Sequence, residues 1–359
     1  MRIVVAMSGG VDSSVAAALL AEAGHEVIGL SMQLYDQREG EHGYGSCCSL
    51  DDLHDAGRVA RRLNIPHYIV NFEKEFQQTV VANFVGEYVA GRTPIPCAHC
   101  NSDLKFATLL GRAQAFGADV VATGHYARVE LVAETGRYRL RRGRDAAKDQ
   151  SYFLFSLTQE QLSKASFPVG HLAKDEVRDY ARSRGLSTAD KPDSQEICFV
   201  PDGDYAPFID RQTGALAAAE AEGTIVNQSG QVLGRHDGIH RFTVGQRKGL
   251  GIALAEPTYV LELRPSEKKV VVGPRRDLEQ TSLTASQVNW ISGIAPAPED
   301  TLRVTAQIRH RHHPAAASVK SLGDGRASLE FDTPQIAITP GQAVVFYDED
   351  VVVGGGWID

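Results

Sequence analysis

The sequence has no run approaching the roughly 20 apolar residues that a membrane-spanning helix needs. Nor does a charged leader with a cleavage site precede its first apolar segment. A cytoplasmic protein with no membrane partner is therefore expected. Cysteine is scarce, five in 359 residues. Their spacing is not the framework of a secreted disulfide protein, so in a reducing compartment they point to catalysis or metal binding. Positive charge is also wanting: the net charge of −8 argues against an overall polyanion-binding body. Hydrophobic content of 43% and charged content of 23% are those of an ordinary globular chain. At this length two or three domains are expected. No internal repeat is present.

What is there begins at once. The apolar run Ile3-Val4-Val5-Ala6 reads as a strand, and Ser14 to Ala23 as an Ala/Leu-rich helix. Between them stands Ser8-Gly9-Gly10-Val11-Asp12-Ser13. Two glycines let backbone N–H groups approach an anion without a Cβ in the way. A helix N-terminus adds positive potential and unpaired donors. Strand, glycine turn and helix together make a phosphate site. A Walker loop would need a lysine after its last glycine, and none follows here. The SGGVDS form resembles instead the PP-loop of ATP pyrophosphatases, which grip pyrophosphate and transfer AMP.

The first half alternates strand and helix patterns. Val27–Leu30, His67–Val70 and Val120–Ala122 read as strands; Asp51–Leu63, Glu73–Ala90 and Ser102–Phe116 read as helices. Repeated βα units imply a parallel sheet with helices on both faces. Ligands of such sheets sit beyond the carboxyl ends of the strands, so Ser8, Met32 and Gly124 are expected to converge. Thr158 and Gln161 form a capping-box pattern. Lys174 to Arg184 reads as a helix closed by Gly185. After about Tyr205 short strand-like runs take over: Tyr259–Leu263, Lys269–Val272, Leu302–Ile308, Ala327–Phe331 and Ala343–Tyr347. The expected architecture is α/β. An N-terminal parallel-sheet PP-loop domain (1–204) of the adenine nucleotide alpha hydrolase type precedes a small connecting domain (205–275) and a C-terminal β-barrel (276–359).

Three basic clusters interrupt the acidic background: Arg137 to Lys148, Arg235 to Lys248 and Arg303 to His313. Each alone is compatible with a solvated face; together they suggest a basic groove. Cys97-Ala98-His99-Cys100 precedes the helix expected from Ser102, a position that lowers a thiol pKa. A CxxC can be redox-active, half of a zinc site or part of an iron–sulfur site. No second CxxC completes a four-ligand zinc set, and the neighbouring prolines fit a thioredoxin role poorly. Cys198 stands about a hundred residues away between Ile197 and Phe199, where a small buried hydrophobe is the plain alternative. Cys47 and Cys48 lie in a Gly/Ser-rich stretch and have no assigned role.

Taken together, the motifs resemble the bacterial tRNA-specific 2-thiouridylases nearly end to end. The matching pieces are Ser8–Ser14, Cys100-Asn101, Lys105-Phe106, Ala122–Arg128, Lys148–Leu154, Lys191–Phe199 and Gly245–Gly251. The resemblance implies ATP-dependent 2-thiolation of the wobble uridine of tRNA, with Mg2+ and a sulfur-donor protein, a cysteine desulfurase or a relay protein. ATP adenylates the uridine C2 oxygen; sulfur carried as a persulfide on Cys198 displaces AMP; Cys100 assists sulfur release and ends in a disulfide with Cys198. The resemblance further implies ATP contacts at Ala6, Met7, Ser8, Gly9, Gly10, Val11, Asp12, Ser13, Met32 and Gly124. It places tRNA contacts at His125, Lys148, Asp149, Gln150, Arg309, His310 and Gln342, and the target base against Ile95, Pro96 and Cys97.

Two departures from the family pattern stand out. Cys97 occupies a position where Asp is common, and Ile95 one where Asn is common. With an unperturbed pKa of about 8.5, Cys97 does not replace an Asp as general base. If Cys97, Cys100 and Cys198 converge, they could instead ligate a [4Fe-4S] cluster with one open iron. A different class of function is a PP-loop ligase that adenylates a small molecule. It would need neither thiol nor the basic clusters.

Overall fold

The computed structural model describes residues 1–35, 50–193, 197–200, 203–214, 222–252 and 256–359. Cys47 and Cys48 lie outside them. A five-stranded parallel sheet is built from β1 (Arg2–Ala6), β2 (Glu26–Gln33), β3 (His67–Asn71), β4 (Val120–Ala122) and, after a hairpin of β5 (Ala127–Val132) and β6 (Arg137–Arg142), β7 (Ala165–Ser166). Its order is β3-β2-β1-β4-β7. Side chains of β1 alternate across the sheet, as strand geometry requires. Ile3 and Val5 pack with Val15, Ala56, Val59 and Val177 on one face. Val4 packs with Leu30, Phe84, Leu104 and Val121 on the other. Both faces are covered, hence the continuous apolar runs of these strands.

Differences from the sequence reading have local causes. The first helix is Val11–Glu22 and begins three residues early, because Gly10 serves as its N-cap. Asp12 and Ser13 thus lie in its first turn. β2 continues beyond Leu30, so Met32 lies inside the strand rather than past its end. The helical stretch around the CxxC begins at Pro96, not Ser102: Pro96–His99 runs into a wide turn at Cys100–Thr108 and on into Leu109–Ala115. Proline at the first helical position is pre-organised for this start. Cys97 therefore sits in the first turn, and Cys100 lies one turn inside. The capping box of Thr158 and Gln161 is formed.

The connecting unit is a four-stranded sheet of β8 (Gly223–Asn227), β9 (Val232–His236), β10 (Thr258–Arg264) and β11 (Lys269–Pro274), ordered β10-β11-β8-β9. The C-terminal unit is a closed six-stranded barrel of β12 (Glu279–Trp290), β13 (Leu302–Gln307), β14 (Ala315–Gly323), β15 (Arg326–Ile336), β16 (Ala343–Asp348) and β17 (Val351–Ile358). Pairing of β12 with β17 closes it. The glycine run in β17 disguises that strand in the sequence, yet closure depends on it: a Cβ on Gly354 would meet Asn289 O at 2.6 Å, and one on Gly355 would meet Val344 O at 2.8 Å. The β5–β6 hairpin leaves the first domain and pairs with β17 through Arg141 and Val351. Among the described residues no helix is long and apolar enough to cross a membrane.

Candidate nucleotide and thiol site

The phosphate loop is a turn that only glycine completes at one position. Gly9 has φ +74°, and a Cβ there would lie 2.2 Å from Asp52 O. Gly10 caps the following helix without a side-chain bond, so its first-turn N–H groups remain as donors toward the loop. Ser14 Oγ donates to Gly10 O at 2.7 Å, and Ser13 Oγ accepts from Ser8 N at 3.2 Å. Ser8 is exposed, whereas Met7 and Val11 are buried in the core and offer only backbone to a ligand. Gly124, just past β4, brings its own backbone against the helix start: a Cβ would meet Ser13 N at 2.5 Å. Ser8 and Gly124 thus converge as expected of strand ends. Met32 faces the core from β2, 8% exposed.

Close approach of Gly124 gives a prediction. In Gly124→Ala the new methyl meets backbone that cannot rotate away, a strain of about 1–3 kcal/mol that falls on the helix start. Nucleotide affinity is expected to fall about tenfold by titration, with tRNA affinity unchanged. Equal loss of both, or of neither, contradicts the placement.

Asp12 is held by its surroundings rather than by the loop. Tyr126 Oη donates to Asp12 Oδ1 at 2.7 Å, and Lys174 Nζ reaches both Asp12 oxygens at 2.8 and 2.9 Å. Burial, then the charge of Asp12, pushes the Tyr126 hydroxyl far up, so it remains a donor. Asp193 receives Lys148 at 2.7 Å, Lys174 at 2.8 Å and Arg178 at 3.0 Å. Burial opposes its charge, but the bonds from Lys148 and Lys174 win, and its pKa falls to about 2. Lys191 donates to Gly9 O at 3.1 Å and pairs with Asp52 and Asp55. Sequence reasoning missed Tyr126, Lys174 and Lys191 as individual site residues. The last stands in the matched Lys191–Phe199 segment, but nothing in the sequence reveals its partner at Gly9.

The thiols sit at the edge of the same core. Cys100 and Cys198 are half-buried against the cluster that contains Phe76, Phe84 and Phe199, whereas Cys97 is exposed. None of these three is in a disulfide. Among the described residues no three His, Cys, Asp or Glu side chains are gathered to hold a metal ion. The expected [4Fe-4S] ligand set of Cys97, Cys100 and Cys198 is therefore not assembled: the early helix start turns Cys97 outward while the other two face the core. Ile95 and Pro96 are buried, which leaves Cys97 as the exposed member of the Ile95-Pro96-Cys97 segment. His99 stacks on Trp357 of β17 at 4.7 Å, seating this helix on the barrel.

Several residues expected at tRNA are occupied within the protein. Asp149 accepts from Gly143 N, Ser151 N, Ser151 Oγ and Arg142 Nη1 at 2.8–3.1 Å. Gln150 Oε1 accepts from Tyr126 N at 3.0 Å, and Gln342 Nε2 donates to Thr93 O at 2.9 Å. These side chains hold loops in place. His125 Nδ1 lies 2.6 Å from Thr123 Oγ1; burial, then Lys105, keeps this imidazole well below its ordinary value and hence neutral. Partial burial on Phe153, then the charge of Arg311, lowers His310 as well.

The first basic cluster is largely spent internally. Arg128 and Arg141 pair with Asp350, which clamps the hairpin to the barrel, while Arg142 pairs with Asp149 and Arg144 with Glu176. Among the described residues no carboxylate pairs with Arg247, Lys248, Arg275, Arg309 or Arg311, all exposed. A cavity of about 400 Å³ joins the three units and is lined by Thr93, Thr243, Tyr259, Arg275, Arg309 and Gln342, among others. Of these cations, Arg275 and Arg309 line that cavity.

Comparisons with known proteins agree with this geometry. The family described as tRNA methyl transferase HUP domain matches residues 1–202. The tRNA methyl transferase PRC-barrel domain matches 215–274, and the aminomethyltransferase β-barrel domain 280–358. The chain is 56% identical over 363 residues to a tRNA-specific 2-thiouridylase MnmA of Geotalea uraniireducens (strain Rf4), covering 100% of this chain and 95% of that protein. It is 54% identical over 365 residues to one of Koribacter versatilis (strain Ellin345), with 99% and 98% covered. With one of Lachnoclostridium phytofermentans the figures are 49% over 359 residues, with 99% of each covered.

Proposed function

The chain belongs to the tRNA-specific 2-thiouridylases, and from that premise we propose how its residues carry out thiolation. It is an enzyme, a tRNA-uridine 2-sulfurtransferase. ATP is the activating nucleotide, and the residues proposed to bind it are Ala6–Ser13, Gly124 and Met32. The observation that carries this reading is the phosphate loop itself, a glycine turn feeding a helix N-terminus that has no side-chain cap, with Asp12 in its first turn. Asp12 is the carboxylate at the loop that would hold Mg2+ brought with the phosphates, and the ion would supply charge neutralisation for the departing pyrophosphate.

Uridine C2 carbonyl oxygen is a poor leaving group. Its attack on the α-phosphate expels pyrophosphate and leaves the oxygen bonded to AMP. The terminal sulfur of a persulfide on Cys198 then attacks C2, and AMP departs with that oxygen. Cys100 thiolate attacks Cys198 Sγ, which breaks the S–S bond to the thiolated base and forms a Cys100–Cys198 disulfide that a thiol reductant reopens. Half-burial of both thiols on one core supports this pairing. The wobble uridine is the target, entering beside Cys97; a cysteine desulfurase or sulfur relay protein loads Cys198; the cytoplasm is the compartment. The chemical route uses the persulfide on Cys198 and Cys100, with Cys97 as an exposed thiol beside them. The proposed units are 1–204 for chemistry, with 205–275 and 276–359 holding the tRNA body through Arg247, Lys248, Arg275, Arg309 and Arg311.

Arg309→Ala is expected to weaken tRNA binding and reduce the slope of log affinity against log salt by about one unit, the signature of one lost phosphate contact. ATP affinity should not move. An unchanged slope removes Arg309 from the phosphate surface. The reading as a whole is tested with ATP, Mg2+, a persulfide donor and unmodified tRNA transcript: 2-thiouridine forms at the wobble position with one pyrophosphate per thiouridine. Pyrophosphate release driven by a small carbonyl compound without RNA would favour the ligase alternative.

A further inference from the structure

The described stretch Ile197–Val200 is a single turn with Cys198 and Phe199 at its two central positions. Val200 N donates to Ile197 O at 2.9 Å and closes it. Cys198 is half-buried at the edge of the core, and Phe199 is buried in it. The Phe199 ring meets three others. Phe76 and Phe84 lie edge-on to it, with ring centres 5.4 and 5.1 Å away, and Phe208 is tilted against it at 5.4 Å. At these separations and angles aromatic rings attract one another beyond simple burial.

The walls of this aromatic box are themselves fixed. Phe76 and Phe84 are buried and come from Glu73–Phe76 and Ala82–Val89. Phe208 comes from Tyr205–Thr213, a helix held at two points. Tyr205 stacks on Tyr88 at 4.3 Å, and Asp210 lies 2.9 Å from His240 Nε2 and pairs with Arg241 of the connecting unit. A ring seated between fixed walls fixes the turn that carries it, and the sulfur stands one residue away. The box belongs to the core on the Val4 face of the five-stranded sheet. The helix Val11–Glu22 of the phosphate loop packs on the opposite face, with Ile3 and Val5. Altering the box therefore leaves the packing of the loop in place.

We propose that Phe199 is a positioning residue for Cys198: seated among Phe76, Phe84 and Phe208, it holds the turn so that the sulfur on Cys198 meets C2 of the activated uridine. The inference rests on the persulfide reading of Cys198 and adds what aims that sulfur. Sulfur transfer is the step that needs aim. Its reacting atoms must stand about 3–3.5 Å apart and aligned, and a displacement of about 1 Å costs about a hundredfold. Adenylation joins the uridine oxygen to the α-phosphate and makes no use of the turn. Phe199 acts through the thiol alone, so its loss divides the two halves of the reaction.

The test is a single turnover of the full-length enzyme, with the persulfide on Cys198 first quantified by peptide mass spectrometry. ATP, Mg2+ and tRNA transcript are added, and pyrophosphate and 2-thiouridine are timed together. In Phe199→Ala pyrophosphate release is expected to keep the wild-type rate. Thiouridine per loaded persulfide forms between about tenfold and a hundredfold more slowly. Phe199→Leu refills much of the box and recovers part of that rate. Phe208→Ala removes a wall from a separate helix and slows the same step alone. A merely structural role lowers both rates together. Wild-type thiouridine formation in the variants that fold, or an equal fall of both rates, overturns the positioning role. Phe199→Leu and Phe208→Ala keep the test decisive should Phe199→Ala fail to fold. Cys198→Ser is run beside them: thiouridine formed by that variant overturns the persulfide reading and the positioning role together.

Discussion

Asp12→Ala abolishes ATP-driven pyrophosphate release, with tRNA affinity unchanged. Asp12 lies in the first turn of the helix that the phosphate loop feeds, and its carboxylate is the negative group at the loop. It also fixes Tyr126 and Lys174 through bonds of 2.7–2.9 Å. Removing a pre-organised electrostatic element of this kind costs about a hundredfold to a thousandfold in turnover, and here two neighbours are misplaced with it. Asp12→Asn keeps the shape and an acceptor for Tyr126 but not the charge, so it separates lost charge from lost packing. Both variants are expected to fall by the same order in pyrophosphate release, measured with saturating tRNA. Their tRNA affinity, read by filter binding, should stay at the wild-type value, since the cations assigned to tRNA lie on the connecting unit and the barrel. Retained release in Asp12→Asn would remove the carboxylate from the chemistry.

Cys198→Ser separates the two halves of the reaction. Adenylation needs the loop and the uridine oxygen but no thiol, so AMP transfer and the first equivalent of pyrophosphate persist. Thiouridine falls below detection, because serine carries no persulfide. Cys100→Ser is expected to retain persulfide loading on Cys198 yet fail to release sulfur, since no second thiolate attacks Cys198 Sγ. Cys97→Ala is the contrasting variant. Its side chain is exposed while Cys100 and Cys198 face the core, so thiolation should remain within about threefold of wild type, the range of an ordinary surface change. Loss of thiolation in Cys97→Ala together with loss of iron and acid-labile sulfide from anaerobically purified protein would restore the cluster.

Much of the catalytic domain was legible because its signals are local. The apolar alternation of β1 and the glycine turn after it need no distant partner to be understood. The same holds for the box of Thr158 and Gln161, and for β4 ending at Gly124. The missed elements depend on contacts made elsewhere. The β5–β6 hairpin reads as a basic cluster, since nothing near Arg128 or Arg141 in sequence reveals that Asp350 will neutralise them. β17 carries three consecutive glycines, and its strand character rests on β12 and β16 pairing with it. The roles of Lys174 and Lys191 are hidden for the same reason, as their partners lie 162 and 182 positions away. At the tRNA face the sequence names Asp149, Gln150 and Gln342 through resemblance. Only the geometry shows that their polar atoms are already engaged in holding loops.

The central claim is that ATP activates the uridine C2 oxygen before sulfur replaces it. The most direct measurement follows that oxygen. A tRNA carrying oxygen-18 at C2 of the wobble uridine is thiolated with ATP and a persulfide donor, and the released AMP is weighed by mass spectrometry. AMP gaining one oxygen-18 per thiouridine formed is the expected result. Unlabelled AMP, with the label in water or retained in the RNA, would contradict it.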